Sequence, residues 1–173
     1  IAVVSHDHAD HRSEAVVGAA TTVVDAAGER EIDGVRVVSW ATWHDETEGS
    51  ERGSNLVSVV EAEGLRIAHL GDLGHMIDPA EMPGLAGVDV LLVPVGGYFT
   101  IDAKAASEIT RAIGPRIVVP MHFKTPKVDF PIAPAEPFVE LAGGATRPGG
   151  SELELEPGAL PEETETILLE PAL

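Results

Sequence analysis

Residues 6–11 read His-Asp-His-Ala-Asp-His. Three imidazoles, those of His6, His8 and His11, and the carboxylate of Asp10 fall within six positions, directly after the apolar, β-branched-rich run 1–5. That run reads as a buried strand, and it delivers all four side chains to a loop at its C-terminal edge. Imidazole nitrogen and carboxylate oxygen are the ligands that zinc and similar divalent metals take, at about 2.0–2.2 Å. Four such groups held this close repel one another or need burial unless a cation joins them. His6 and His8 stand two apart, so an extended backbone sends them to the same side. Asp10 and His11 follow where the chain turns, which lets them face a neighbouring ion.

The elements around the hexapeptide supply further candidates. Residues 12–19 read as a short helix, and residues 21–24 and 35–40 read as strands separated by the turn-prone Gly28 and Asp33-Gly34. Residues 45–53 are polar and read as a loop. Residues 55–62 and 65–70 form a hairpin around Glu63-Gly64, and residues 78–85 hold a brief helical turn. The continuous apolar run 88–93 fits a strand covered on both faces. Asp102 then caps a helix over 103–113, which Gly114-Pro115 stops. A strand at 116–120, a short helix at 137–141 and closing strands at 152–156 and 164–169 complete the reading. His44, Asp72 and His122 each sit where such a strand ends, and side chains that gather at one edge of a layered α/β fold make sites.

Composition narrows what the site serves. The chain has 173 residues, 44% of them hydrophobic, enough for one domain with a substantial core. No window approaches the ~18 continuous apolar residues that span a bilayer, and no basic-apolar-small leader argues for export. The expected location is cytoplasmic, with no membrane partner. With no cysteine, a metal site must rest on His, Asp and Glu. A net charge of -18 repels phosphate backbones, so a small molecule rather than nucleic acid is the expected partner. The same acidity also follows from solubility demands alone. Self-association into a homo-oligomer is left open. The absence of Cys and of a Gly-x-Ser-x-Gly elbow leaves no protein nucleophile of those kinds.

The ordered motifs resemble the metallo-β-lactamase fold superfamily. His6-x-His8-x-Asp10-His11 is similar to its metal-binding signature. Trp43-His44-Asp45 followed by Glu51-Arg52-Gly53-Ser54-Asn55 resembles a subgroup of metal-dependent hydrolases related to ascorbate-6-phosphate lactonase-like proteins. So do His69-Leu70-Gly71-Asp72-Leu73-Gly74-His75, Pro94-Val95-Gly96-Gly97 with Thr100-Ile101-Asp102-Ala103, and Pro120-Met121-His122. The similarity runs through about residues 1–125 in the right order. It implies an α/β fold, an αββα metallo-β-lactamase-like sandwich occupying 1–173 as a single domain, with its N-terminal strands missing.

It further implies two adjacent divalent metals, zinc first, with manganese or iron as alternatives. His6, His8 and His44 would hold one, Asp10, His11 and His122 the other, and Asp72 would bridge them. Such a pair lowers the pKa of bound water from about 15.7 toward about 7. The hydroxide so formed would attack a small ester, lactone, amide or phosphoester, with Asp10 orienting it. His75 is a candidate acid toward the leaving group, and His69 a supporting donor or a plain strand residue.

Each residue alone also has an ordinary reading. Asp72 serves equally as a turn aspartate, and Asp45 either fixes a ligating imidazole or stays in a solvated loop. Gly96-Gly97 lacks phosphate-loop spacing and more simply lets backbones approach. Tyr98 and Phe99 wall a pocket or fill the core; Trp40 and Trp43 are packing residues. Arg52 is a candidate for an anionic substrate, and Lys124 belongs to the surface. A non-catalytic metal-binding module and a diiron-type oxidoreductase are the rival classes, the second weakened by His8 standing where such proteins carry Glu.

Overall fold

The computed structural model describes residues 1–9 and 11–172. The apolar opening forms a short strand, β1 (Ala2–Val3), which pairs in parallel with β2 (Val23–Val24) across helix α1 (Glu14–Ala19). From there the chain builds an antiparallel meander of β3 (Gly28–Ile32), β4 (Val35–Trp43), β5 (Ser54–Ala62) and β6 (Leu65–His69). Two of its turns are two-residue loops with positive φ at both positions, Asp33 (51°) with Gly34 (82°) and Glu63 (52°) with Gly64 (82°). That geometry matches the right-handed twist of the flanking strands, which is why Asp-Gly and Glu-Gly serve here.

The sheet then turns parallel. β7 (Val90–Pro94), helix α2 (Ala103–Ile113) and β8 (Ile117–Met121) make a crossover, and after helix α3 (Glu136–Leu141) the chain adds β9 (Glu165–Thr166). The seven strands lie in the order β3-β4-β5-β6-β7-β8-β9. α2 is set as the sequence predicts: the Asp102 side chain accepts from the Ala105 amide at 2.8 Å, and Gly114 ends it at φ 64°.

Alternation divides the sheet into two faces. Val57, Val59, Ala68, Leu91, Val93 and Val118 point to one side and pack against Ala106, Ile109 and Ile113 of α2 and Phe138 of α3. Each such aliphatic side chain, taken from water, contributes about 1.5–3 kcal/mol. On the opposite face Val90, Ile117, Val119 and Ile167 are covered by Leu153, Leu155, Leu160 and Leu169. Further along that face Val3 and Ser5, around β1, and Leu56, Val60, Ile67 and Leu92 line a cavity of about 480 Å³. Helices on one face of a mixed sheet and a small second sheet on the other give the α/β sandwich expected.

Some expectations fail in instructive ways. Residues 152–156 form no strand. Their alternation is real, since Leu153 and Leu155 pack on the sheet, but the segment lies across the face instead of pairing at its edge. The last predicted strand contracts to Glu165–Thr166, and the one at 21–24 to Val23–Val24. Gly28 is the first residue of β3 rather than a turn. That strand went unread because its Gly-Glu-Arg-Glu sequence lacks apolar alternation; it is an exposed edge strand, where charge protects against further pairing.

Candidate metal centre

The topology carries the candidate ligands to one place. β4 and β6 both run antiparallel to β5 and so point the same way, and β7 and β8 run parallel to β6. The C-terminal ends of β4, β6 and β8 therefore share an edge, and they present His44, Asp72 and His122. The Leu56 amide donates to the Ser5 carbonyl at 2.8 Å, which ties the exit of β1, and with it His6, to that same edge at the start of β5.

Asp72 is the hub. Its Oδ2 lies 3.2 Å from His44 Nε2, 3.3 Å from His11 Nε2, 3.4 Å from His122 Nε2 and 3.9 Å from His6 Nε2. His8 completes the group, its ring 4.6 Å from that of His6 and 5.2 Å from that of His44. Ligand atoms of His6, His8 and His44 lie within 4.8 Å of one another, as do those of His6, His11 and Asp72. Asp10 lies outside the described residues.

Supporting contacts hold these side chains. The Asp72 amide donates to Asn55 Oδ1 at 2.9 Å, while Asn55 Nδ2 donates to Thr42 Oγ1 and to the Leu70 carbonyl, both at 2.9 Å. Asn55 is wholly buried, and sequence reasoning did not single it out. A polar amide directly before the apolar pair Leu56-Val57 was the available signal. His44 Nδ1 donates to the Phe99 carbonyl at 3.0 Å, which can only accept, and so leaves Nε2 as the nitrogen that faces Asp72. Close backbone approach completes the packing: a Cβ on Gly74 would sit 2.2 Å from the His44 carbonyl carbon, and one on Gly96 2.2 Å from the His122 carbonyl oxygen. His122 itself is held at φ 49°, a left-handed conformation that costs about 1–3 kcal/mol and that such packing enforces.

The electrostatics of the cluster match its contents. Burial pushes the Asp72 carboxyl up, but the imidazoles of His11 and His44, then the charges of His122 and His11, outweigh it and hold the group well below the usual carboxylate range. Burial, reinforced by His11, His44 and His8 against the pull of Asp72, lowers His6 to about 4. His44 goes the other way: burial lowers it, and the bond and charge of Asp72 more than compensate. His6 Nε2 is buried with no hydrogen-bond partner, although Ser5 Oγ serves its Nδ1 at 3.0 Å. A buried ring nitrogen left so, among imidazoles that share one carboxylate, fits a divalent cation of the zinc, manganese or iron type.

Asp45 does neither of the things expected of it. It is 4% exposed, and its two oxygens accept from the amides of Thr47, Gly49, Glu51 and Arg52 and from the Thr47 hydroxyl, at 2.7–3.0 Å. Burial raises this carboxyl, yet the amides of Arg52, Gly49 and Thr47 hold it well below its ordinary value. It is the post around which loop 45–53 winds. His69 ends β6, and its Nδ1 accepts the Gly71 amide at 2.9 Å; burial lowers its pKa, against the pull of Asp72. His75 lies outside the cluster. Trp43 N donates to its Nε2 at 3.2 Å and its Nδ1 bonds the Met76 carbonyl at 2.8 Å, so both nitrogens are taken by main chain.

The cluster opens into a cavity of about 280 Å³ whose outer wall is Glu51, Arg52, Phe99 and Phe130. Phe130, which carried no sequence signal, stands edge-to-face with Phe99 at 5.9 Å, and Lys124 Nζ pins its carbonyl at 2.9 Å. A neighbouring cavity of about 430 Å³ shares Glu51, Arg52 and Phe99 and is lined further by His75, Met76 and Tyr98. Trp40 packs against the core as expected, whereas Trp43 is 40% exposed.

Comparison with known proteins agrees with this fold. Residues 1–122 match the model of the beta-lactamase superfamily domain. A metal-dependent hydrolase of Thermococcus onnurineus is 35% identical over 71% of this chain and 55% of its own length. One of Pyrococcus abyssi is 34% identical over 88% of this chain and 69% of its own. The chain thus spans about half to two thirds of the length of these relatives. Among solved structures, a candidate Zn-dependent hydrolase of the metallo-beta-lactamase superfamily from Thermotoga maritima superposes with a TM-score of 0.74 at 36% identity, over 86% of this chain and 71% of the other.

Proposed function

Because the chain belongs to the beta-lactamase superfamily, we propose that it forms the metal-dependent hydrolytic site of an enzyme acting on a small ester, lactone or phosphoester. The observation that carries this is the ring of imidazoles around Asp72 Oδ2, at 3.2–3.9 Å, with the buried His6 Nε2 unpartnered inside it. The family resemblance assigns His6, His8 and His44 to one ion and Asp10, His11 and His122 to a second, with Asp72 shared; the ring brings together all of these that are described, and they would hold the ions. Zinc is the first choice, in keeping with the description of the Thermotoga maritima relative. Bound there, divalent ions supply Lewis acidity and a water that ionises near neutral pH.

The protein's own groups do the rest. Nδ1 of His44, fixed on the Phe99 carbonyl, keeps its Nε2 aimed inward. Asn55 locks the backbone of Asp72 and so the position of the shared oxygen. Phe99 and Phe130 give the mouth one apolar side. The committed nitrogens of His75 give no support to a leaving-group acid there, so the proposal assigns it no proton transfer. The lactonase-like motifs make lactones the first substrates to try.

Metal analysis of the purified protein, with zinc, manganese and iron measured together, combined with turnover of a panel of lactones, thioesters and phosphodiesters, tests the reading. About two equivalents of metal with chelator-sensitive turnover is the expected result. Stoichiometric metal without turnover would leave a metal-binding module, and visible absorption from bound iron with redox activity would replace hydrolysis.

A further inference from the structure

Opening an ester or lactone takes more than an attacking oxygen. The water that attacks gives up a proton, and the alkoxide that departs needs one. His75 does not carry it, since both its nitrogens are held by main chain. Among the described residues around the cavity of about 280 Å³, His8, His44, Asp72 and His122 are candidates to hold an ion, and a lone pair given to an ion cannot carry a proton. The Arg52 guanidinium has no acceptor and keeps its protons. One group remains there that can both take a proton and give it back, the carboxylate of Glu51.

The position of Glu51 is built rather than incidental. Its amide donates to Oδ2 of buried Asp45 at 3.0 Å, so the post that winds loop 45–53 fixes this residue at the mouth whatever its side chain does. The side chain is 60% exposed, and its one ion pair among the described residues, with Arg52 Nη1, is 3.5 Å long. A contact so long and so wet holds a carboxylate weakly, which leaves it free to turn toward the cavity. Glu51 also borders the adjoining cavity of about 430 Å³. It therefore stands on the saddle between the two. A substrate with its scissile carbonyl at the imidazole ring and its departing end in the second cavity must pass its leaving oxygen across Glu51.

We infer that Glu51 is a catalytic proton carrier. Its carboxylate takes the proton of the attacking water as the new C–O bond forms. It returns that proton to the leaving oxygen as the scissile C–O bond breaks and its electron pair moves onto that oxygen. Ester and water become acid and alcohol, and Glu51 ends as it began. This rests on the hydrolase reading above.

The test compares two six-membered lactones in the zinc-loaded wild type, Glu51→Gln and Glu51→Asp. δ-Valerolactone expels an alkoxide, whereas dihydrocoumarin expels a far more stable phenolate that needs a proton less. E51Q lowers kcat for δ-valerolactone roughly 100–10,000-fold, the range a positioned proton-transfer group contributes, and lowers it for dihydrocoumarin at least about ten times less, with KM little changed for either. E51D recovers part of the loss. Metal analysis and titration with a chelator find E51Q fully loaded, because Glu51 holds no ion, and its melting temperature is unchanged, because the loop is held by the amide. Equal losses for both lactones, or none, would overturn the role of Glu51 and leave hydrolysis intact. Loss of metal from E51Q would overturn it too, making the residue a ligand. A wild type that binds zinc yet opens neither lactone and no ester would remove the hydrolase reading, and the proton carrier with it.

Discussion

Asp45 follows β4 and Asp72 follows β6, at one edge of one sheet, and each is 4% exposed. Both carboxyls are held far below their ordinary range, against the push of burial. The partners differ. Asp45 is encircled by main-chain amides and a hydroxyl, groups that satisfy it fully and hold nothing else. Asp72 is encircled by imidazoles, groups that can give a proton to a carboxylate or turn a lone pair toward a cation. A low pKa alone therefore does not distinguish structural from chemical carboxylates; the donor set does. Amides close the account at Asp45, whereas imidazoles at Asp72 leave room for a cation.

The largest separation between the two comes from removing the charge of each. Asp72→Asn should strip most bound metal and abolish turnover, because it deletes the oxygen that four imidazoles share. The expected loss of metal affinity exceeds the roughly 10–100-fold that a supporting hydrogen-bond partner costs. Asp45→Asn should keep its metal and instead lower the melting temperature by several degrees, since one carboxamide oxygen cannot accept the bonds that two carboxylate oxygens do. Full metal loss from D45N, or full retention in D72N, would erase the distinction; metal analysis and a thermal melt on both proteins decide it.

His122→Ala is the next largest. It should remove about one metal equivalent of two and end turnover, with the left-handed backbone at this position still strained, since alanine also carries a Cβ. Unchanged metal content would refute its place at the centre. Asn55→Ala follows: Asp72 loses its amide acceptor but not its charge, so metal should bind about 10–100-fold more weakly rather than disappear. Titration with a competing chelator measures it.

These residues also mark what could be read in the chain before any coordinates. The hexapeptide was legible from its density of imidazoles, His44, Asp72 and His122 only through the ordered motifs that resemble the metallo-β-lactamase superfamily, and α2 because Asp102 and Gly114-Pro115 bound it so clearly. Asn55, Asp45 and Phe130 were not assigned their places. Their roles depend on which backbone atoms lie opposite them, and only register and loop closure decide that. The alternation of residues 152–156 reported burial faithfully yet said nothing about pairing: a leucine every second residue can lie across a sheet as well as within one.

A third carboxylate sets the lower end of the scale. Glu29 on edge strand β3 bonds Arg36 Nε at 2.7 Å in full contact with water, and that bond, with the charge of Arg36, lowers its pKa below 4.5. A group depressed in the folded state contributes stability above its unfolded pKa and loses the contribution as pH falls through its folded one. Solvent screens this pair and salt weakens it further. Glu29→Gln should therefore shift the melting temperature barely, with the full shift above about pH 4.5 at low salt and a fading one below it. On acidification the variant and the wild type should converge. D45N, measured alongside at neutral pH, should stand clear of both, because its penalty lies in unpaired buried amides that salt does not reach. If E29Q cost as much as D45N, burial would not be what sets the value of a carboxylate in this fold.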